Sequence, residues 1–168
     1  MASGTQKPAR GLYTPEQRRR RDTTKWTLVQ GILAPVQFFV FLFSLMLILR
    51  YLTTGEGLLA ADLSVVVKTL TLYAIMVTGA IWEKEVFGQY LFARAFFWED
   101  VFSMLVLALH TAYLFASLGG WLSGNALMLL ALAAYATYIV NAAQFLWKLR
   151  VARLEAPGTF HLVGEGAR

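Results

Sequence analysis

The sequence predicts an all-α integral membrane protein, an antiparallel bundle of four transmembrane helices with its N and C termini on the cytoplasmic side. Three observations carry that reading. Of 168 residues, 58% are hydrophobic, the mean hydropathy is +0.55, and the apolar residues gather into four long runs. Each run meets the roughly 20-residue length that a helix needs to cross a bilayer. The basic residues cluster at the ends of those runs that would lie on one side of the membrane.

The four expected spans run over about 26–49, 63–82, 97–118 and 126–147. Glycines in Gly55-Glu56-Gly57 and Gly119-Gly120 mark two of the connections as turns. The second connection, 83–96, is longer and amphipathic, and reads as a surface helix or structured loop. Lys7, Arg10, Arg18 to Arg21 and Lys25 precede the first span, Lys84 and Arg94 lie between the second and third, and Lys148, Arg150 and Arg153 follow the fourth. The two remaining loops share only Arg50. Positive-inside asymmetry then assigns both termini and the middle loop to the cytoplasm. The expected organisation is a basic segment over 1–25, a transmembrane domain over 26–153 and a disordered tail over 154–168 that includes His161.

Within the first segment, Thr14-Pro15-Glu16-Gln17 predicts a helix start, with Thr14 as cap, Pro15 at the first helical position and Gln17 as capping-box partner. The Arg run behind it would lie along anionic headgroups as a topology anchor. Pro35 inside the first span removes one backbone bond and is expected to kink the helix near Gly31. A signal peptide is not expected, because the hydrophilic head of about 25 residues is too long and too charged for one.

Composition removes several function classes. With no cysteine there is no disulfide, thiolate catalysis or Cys-ligated metal. The net charge of +5 sits beside apolar runs, so it reads as topology and not as nucleic-acid binding. No nucleotide, zinc-hydrolase, flavin or iron–sulfur motif is present, and His110 is the one histidine within a span, which rules out bis-histidine haem.

What remains is chemistry in the spans themselves. Helical spacing gives each span one polar line: Trp26, Gln30, Gln37 and Ser44; Lys68, Thr71, Thr78 and Trp82; Glu99, Ser103 and His110; Thr137, Asn141, Gln144 and Lys148. Lipid satisfies none of these groups, so the lines must face one another or a wet cavity. Gln37, Ser44, Thr71, Thr78 and Thr137 read as interhelical glue, Lys148 as an interfacial anchor, and Lys68 either as a snorkelling residue or as part of the polar line. Glu83 and the Glu99-Asp100 pair come at the cytoplasmic ends of neighbouring spans, with His110 about 16 Å deeper than Glu99 by helix rise. Intramembrane ionisable groups are functional candidates by default. The arrangement suits a flat, largely apolar ligand whose reactive edge meets carboxylates and water. Trp82, Phe87, Phe96, Phe97 and Trp98 are candidate aromatic walls, or members of an interfacial belt.

Ala80-Ile81-Trp82-Glu83-Lys84, Phe96-Phe97-Trp98-Glu99-Asp100-Val101-Phe102-Ser103-Met104 and His110-Thr111-Ala112-Tyr113 resemble the 3-vinyl (bacterio)chlorophyllide hydratase family of bacteriochlorophyll biosynthesis. The similarity runs on through Tyr13-Thr14-Pro15-Glu16, Trp26 to Gly31 and Tyr135 to Tyr138, so it covers about Tyr13 to Arg153. It implies a multi-pass enzyme of the bacterial inner (intracytoplasmic) membrane that adds water to the 3-vinyl group of chlorophyllide a or 3-vinyl bacteriochlorophyllide a. The product would be the 3-(1-hydroxyethyl) pigment.

Such a reaction needs an acid that keeps its proton near pH 7, a condition met by an apolar site or a neighbouring carboxylate. The expected catalytic residues are Glu99, Asp100 and Glu83, with Glu99 as the acid because it shares a face with Ser103 and His110. Expected substrate contacts are His110, Ser103, Trp82, Trp98, Gln30, Asn141 and Gln144. No cofactor is expected: magnesium arrives with the chlorin, and His110 is the candidate axial ligand to it. Expected partners are the (bacterio)chlorophyllide substrate, membrane lipid, and a second copy or other pigment-biosynthesis enzymes, with no nucleic acid. A non-catalytic chlorin-binding or assembly protein of the photosynthetic membrane is the alternative, and a transporter a weaker third.

Overall fold

The computed structural model describes residues 12–154. The topology residues Lys7 and Arg10 and positions 155–168 of the expected tail, His161 among them, lie outside the described residues. Within them the chain is all-helical: α1 (Pro15–Thr23), α2 (Lys25–Thr54), α3 (Leu58–Phe87), α4 (Phe97–Gly119) and α5 (Gly124–Leu154). By length and composition α2, α3, α4 and α5 can each cross a membrane.

The helix ends follow from local chemistry. The Thr14 hydroxyl accepts from the Gln17 amide at 3.2 Å while the Gln17 side chain accepts from the Thr14 amide at 2.9 Å, the reciprocal capping box read from the sequence. Thr24 caps α2 directly behind α1. At the far end of α3, Gly88 has φ +88°, a conformation that costs a side chain about 1–2 kcal/mol and glycine almost nothing. Of the two readings of 83–96, the structured loop holds for 88–96 and the surface helix does not form: α3 continues to Phe87 and α4 begins at Phe97. α2, α3 and α5 also extend beyond the expected apolar spans: Thr53 and Thr54 donate to carbonyls of their own helix, while Glu85 and Lys148 find partners on neighbouring helices. α2 is helical through Pro35 without interruption.

α2 and α3 are stitched by polar side chains along their length. Thr24 donates to Glu85, the Trp26 indole donates to Glu85 (3.0 Å), the Trp82 indole to Thr27 (2.9 Å) and Gln30 to Thr78 (2.7 Å), while Ser44 meets Ser64 at 2.6 Å. α4 and α5 are joined by Asn141 to Ser103 (2.8 Å) and by Lys148 to Glu99. In lipid each such bond contributes on the order of 0.6 kcal/mol. Of the expected glue residues, Ser44 and Thr78 act between helices. Thr71 and Thr137 donate to carbonyls of their own helix instead, at Lys68 and Ala134.

Two apolar clusters fill the interior. The larger joins Phe41, Ile48, Val65, Leu72, Val106, Tyr113, Met128 and Tyr135, with Ala131 and Ala134 letting α5 approach closely. The smaller gathers Tyr13, Val86, Phe96 and Ala152 with Trp82, Phe87 and Phe145, and closes the end of the bundle where the carboxylates lie.

Candidate active site

The first turn of α4 carries Glu99 and Asp100, where the helix dipole favours anions. The last turns of α3 bring Glu83 to meet them. All three carboxyl groups are buried. Glu83 and Asp100 are in hydrogen-bonding contact with each other. A carboxyl group donates only when protonated, so a contact of this kind can hold one transferable proton. Glu99 is arranged differently: its Oε2 lies 2.5 Å from the Lys148 ammonium, which also donates to the Ala95 carbonyl. Lys148 is therefore an interior ion-pair partner and not the free interfacial anchor expected from its position. It is also close enough to Asp100 for their charges to interact.

The 88–96 loop completes the site with backbone groups. The Phe92 amide donates to Asp100 Oδ2 at 2.7 Å and the Ala93 amide to Glu83 Oε2 at 3.3 Å. Phe92 has φ +60°, uncommon for a residue with a side chain, and its bond to Asp100 holds it there. These two amides were not readable from the sequence, since backbone donors carry no residue signature.

Aromatic rings wall this end. Tyr13 stacks on Phe87 (5.7 Å between centroids), Phe96 stacks on Phe145 (5.9 Å), and Trp82 meets Phe87 and Phe96 edge-on. Arg21 of α1 lies 4.8 Å over the Tyr13 ring. Burial pushes the Tyr13 phenol above its ordinary pKa, with Arg21 pulling the other way. Tyr13 thus seals the carboxylate site, a contribution missed because the segment before the first span reads only as a basic anchor. Of the expected walls, Trp82, Phe87 and Phe96 are in this cluster. Phe97 and Trp98 turn outward, Trp98 being 67% exposed. Gln30 is engaged with Thr78, one turn of α3 before Trp82.

Deeper in the bundle Ser103 and Asn141 are buried and bonded to each other, and Asn141 Oδ1 and Gln144 Oε1 are buried with no protein donor. Ten residues beyond Asp100, about 15 Å by helix rise, His110 is completely buried. Its Nδ1 donates to the Val106 carbonyl at 2.8 Å, leaving Nε2 as an unpartnered acceptor, and its ring stacks on Tyr135. Lys68 does not snorkel. It is fully buried, with its ammonium 3.8 Å over the Tyr138 ring and no hydrogen-bond partner. Asp62, not singled out from the sequence, accepts from Tyr113 and Ser117 and ties α3 to α4 near the opposite end.

Comparison with known proteins agrees with the resemblance drawn from the motifs. The family described as 2-vinyl bacteriochlorophyllide hydratase matches residues 13–151. A protein of Cereibacter sphaeroides named 2-vinyl bacteriochlorophyllide hydratase is 69% identical over 148 residues, 88% of this chain and 92% of the relative. A protein of the same name from Rhodobacter capsulatus is 65% identical over 157 residues, 93% of this chain and 91% of the relative. No solved structure matches. The matched region contains every residue of the carboxylate cluster: the chain belongs to the 2-vinyl bacteriochlorophyllide hydratase family and is a hydro-lyase.

Proposed function

We propose that the protein adds water across the vinyl group of a bacteriochlorophyllide or chlorophyllide a, giving the 1-hydroxyethyl pigment, and that the proton donor is the Glu83–Asp100 pair. The vinyl position is numbered 2 in the relatives' names and 3 in the numbering used above. The observation that carries the reading is the carboxyl–carboxyl contact in a buried, aromatic-walled site. The shared proton moves to the terminal vinyl carbon, and the positive charge left on the inner carbon spreads into the macrocycle. Water attacks that carbon, and its surplus proton returns to the carboxylate pair. Positioned acid catalysis of this kind is typically worth 10²–10⁴-fold.

This moves the acid from Glu99, the expectation from spacing alone, to its neighbour and Glu83. Glu99 faces Lys148, so it is held as an ion-pair partner. Its role is to fix Lys148, whose charge offsets the second negative charge that appears when the pair gives up its proton. The Phe92 and Ala93 amides support the same charge. No cofactor of the protein enters this scheme. Magnesium belongs to the substrate, and the free Nε2 of His110 is suited to bind it axially with the pigment body lying between His110 and the carboxylates.

The spans alternate in direction, which the register of the α2–α3 bonds supports: residues 24, 27, 30 and 44 meet 85, 82, 78 and 64. Together with the basic residues, this register supports a topology with both termini and the carboxylate end at the cytoplasmic face of the bacterial inner membrane. Besides lipid and pigment, a second copy or neighbouring pigment enzymes are the proposed partners. The deciding experiment is incubation of purified protein with vinyl bacteriochlorophyllide in ¹⁸O-labelled water. Label in a new hydroxyethyl group is the expected result, and pigment that binds but returns unlabelled would overturn the reading.

A further inference from the structure

We propose that Lys68 binds the free carboxylate of the pigment, and so selects the unesterified acid over pigment esters. The inference rests on the hydratase reading above and names a second group of that substrate, remote from the reaction, that the protein holds. Lys68 is fully buried on α3, within a candidate span, and its ammonium makes no hydrogen bond among the described residues. The Tyr138 ring lies 3.8 Å from it. A π face offsets part of the cost of burying a charge, yet it does not take up the ammonium's three donors as oxygen acceptors do. Asp62, the nearest acidic residue along α3, is engaged by Tyr113 and Ser117. An intramembrane ionisable group of this kind is a candidate functional site by default.

The contacts around Lys68 put it beside the residue suited to the metal. His110 stacks on Tyr135, Tyr135 and Tyr138 both pack against Phe41, and Lys68 sits over Tyr138. Lys68 and His110 are close enough for their charges to interact. This aromatic wall thus carries two unused polar atoms of opposite kind, an acceptor at His110 Nε2 and a donor at Lys68 Nζ. A bacteriochlorophyllide offers both complements on one rigid body. Its magnesium takes a nitrogen lone pair, and its free propionate accepts charge-assisted hydrogen bonds from an ammonium. The vinyl group and the propionate stand on adjacent pyrrole rings, roughly at right angles about the metal. With magnesium at His110 and the vinyl edge directed to Glu83 and Asp100, the propionate lies to the side of the metal, at the depth of His110. An ester at that position keeps a carbonyl but loses the negative charge. In an apolar interior that charge is screened little, so it is what the ammonium distinguishes.

The test is absorbance titration of the full chain in detergent with vinyl bacteriochlorophyllide as the free acid and as its methyl ester. A hydrogen bond to a charged group is worth about ten- to a hundredfold in affinity, so wild type should prefer the acid by that factor. Lys68→Met should bind acid and ester alike, near the wild-type affinity for the ester. Its conversion of the acid in ¹⁸O-labelled water should show a raised KM, with kcat within about threefold of wild type. Equal wild-type affinity for acid and ester would overturn the assignment, and is the outcome if water or a small anion joins Lys68 to His110 instead. A folded Lys68→Met chain that weakens acid and ester by the same factor, and so keeps the preference, would overturn it too. The wild-type comparison needs no variant, so it can overturn the assignment even if Lys68→Met does not fold. Failure of the hydratase reading looks different: the acid is preferred, the preference is lost in Lys68→Met, and no label enters the pigment. That result leaves the carboxylate site standing on a protein that binds the pigment without hydrating it.

Discussion

Exchanging each carboxyl group for its amide separates the proton donor from the ion pair. Glu83→Gln and Asp100→Asn keep side-chain shape and leave an oxygen to accept from Ala93 and Phe92, the bonds that position the loop. What each removes is the carboxyl proton. Losing a general acid should lower turnover by 10²–10⁴-fold, which at 1.36 kcal/mol per decade is about 2.7–5.4 kcal/mol of transition-state stabilisation. Pigment binding should stay near the wild-type level, because neither change touches the aromatic walls.

Glu99→Gln should have the reverse profile. Lys148 keeps the Ala95 carbonyl and gains an amide oxygen, so the geometry survives while the ion pair is lost. Breaking a fully buried pair costs about 3–5 kcal/mol. The Lys148 side chain is 23% exposed, so solvent screening reduces that to about 1–3 kcal/mol. The variant should melt earlier yet turn over within about tenfold of wild type. The assays are single-turnover conversion followed by the pigment absorbance change, and thermal unfolding in detergent. Inactive Glu99→Gln beside active Glu83→Gln and Asp100→Asn would return the donor role to Glu99. Full activity in all three would refute carboxylic-acid catalysis here altogether.

Three further outcomes are expected. His110→Phe fills the same space without a nitrogen ligand, so pigment affinity measured by absorbance titration should fall while saturating pigment restores much of the turnover; normal affinity with lost turnover would contradict a binding role. Lys68→Met keeps the apolar stem and removes a buried ammonium that has no hydrogen-bond partner, so the unfolding temperature should hold or rise, and a clear drop would show that its contact with Tyr138 outweighs its burial. With no native cysteine in the chain, Gln89→Cys and Leu122→Cys report topology through impermeant labelling of intact cells: Leu122→Cys should react and Gln89→Cys should not, and the opposite pattern would invert the orientation.

The spans were legible because lipid allows little else: runs as apolar as Phe38 to Leu49 must be helical, and the polar positions left within them must meet one another. Spacing therefore identified Ser44, Ser103, His110 and Asn141 as inward-facing, and all four are buried. The same periodicity says nothing about which inward residue of one helix meets which of another. Glu99 and Asp100 differ by one position and about 100° of rotation, and that angle sends one to Lys148 on α5 and the other to Glu83 on α3. Spacing along α4 alone favoured Glu99 through its alignment with His110, whereas the choice of proton donor depends on the two neighbouring helices. The 88–96 loop was hidden for a related reason. Its contribution is two backbone amides and a left-handed Phe92, and these come from how the chain closes over Asp100. Lys148 was misread on a general expectation, since basic residues at span ends usually reach for headgroups. Here a buried carboxylate lies nearer, and an ammonium at a bundle end takes whichever anion costs least to reach. The carboxylate end is thus assembled by contacts between helices, and for this reason periodicity along one helix could mark its inward-facing residues while their partners could not be read.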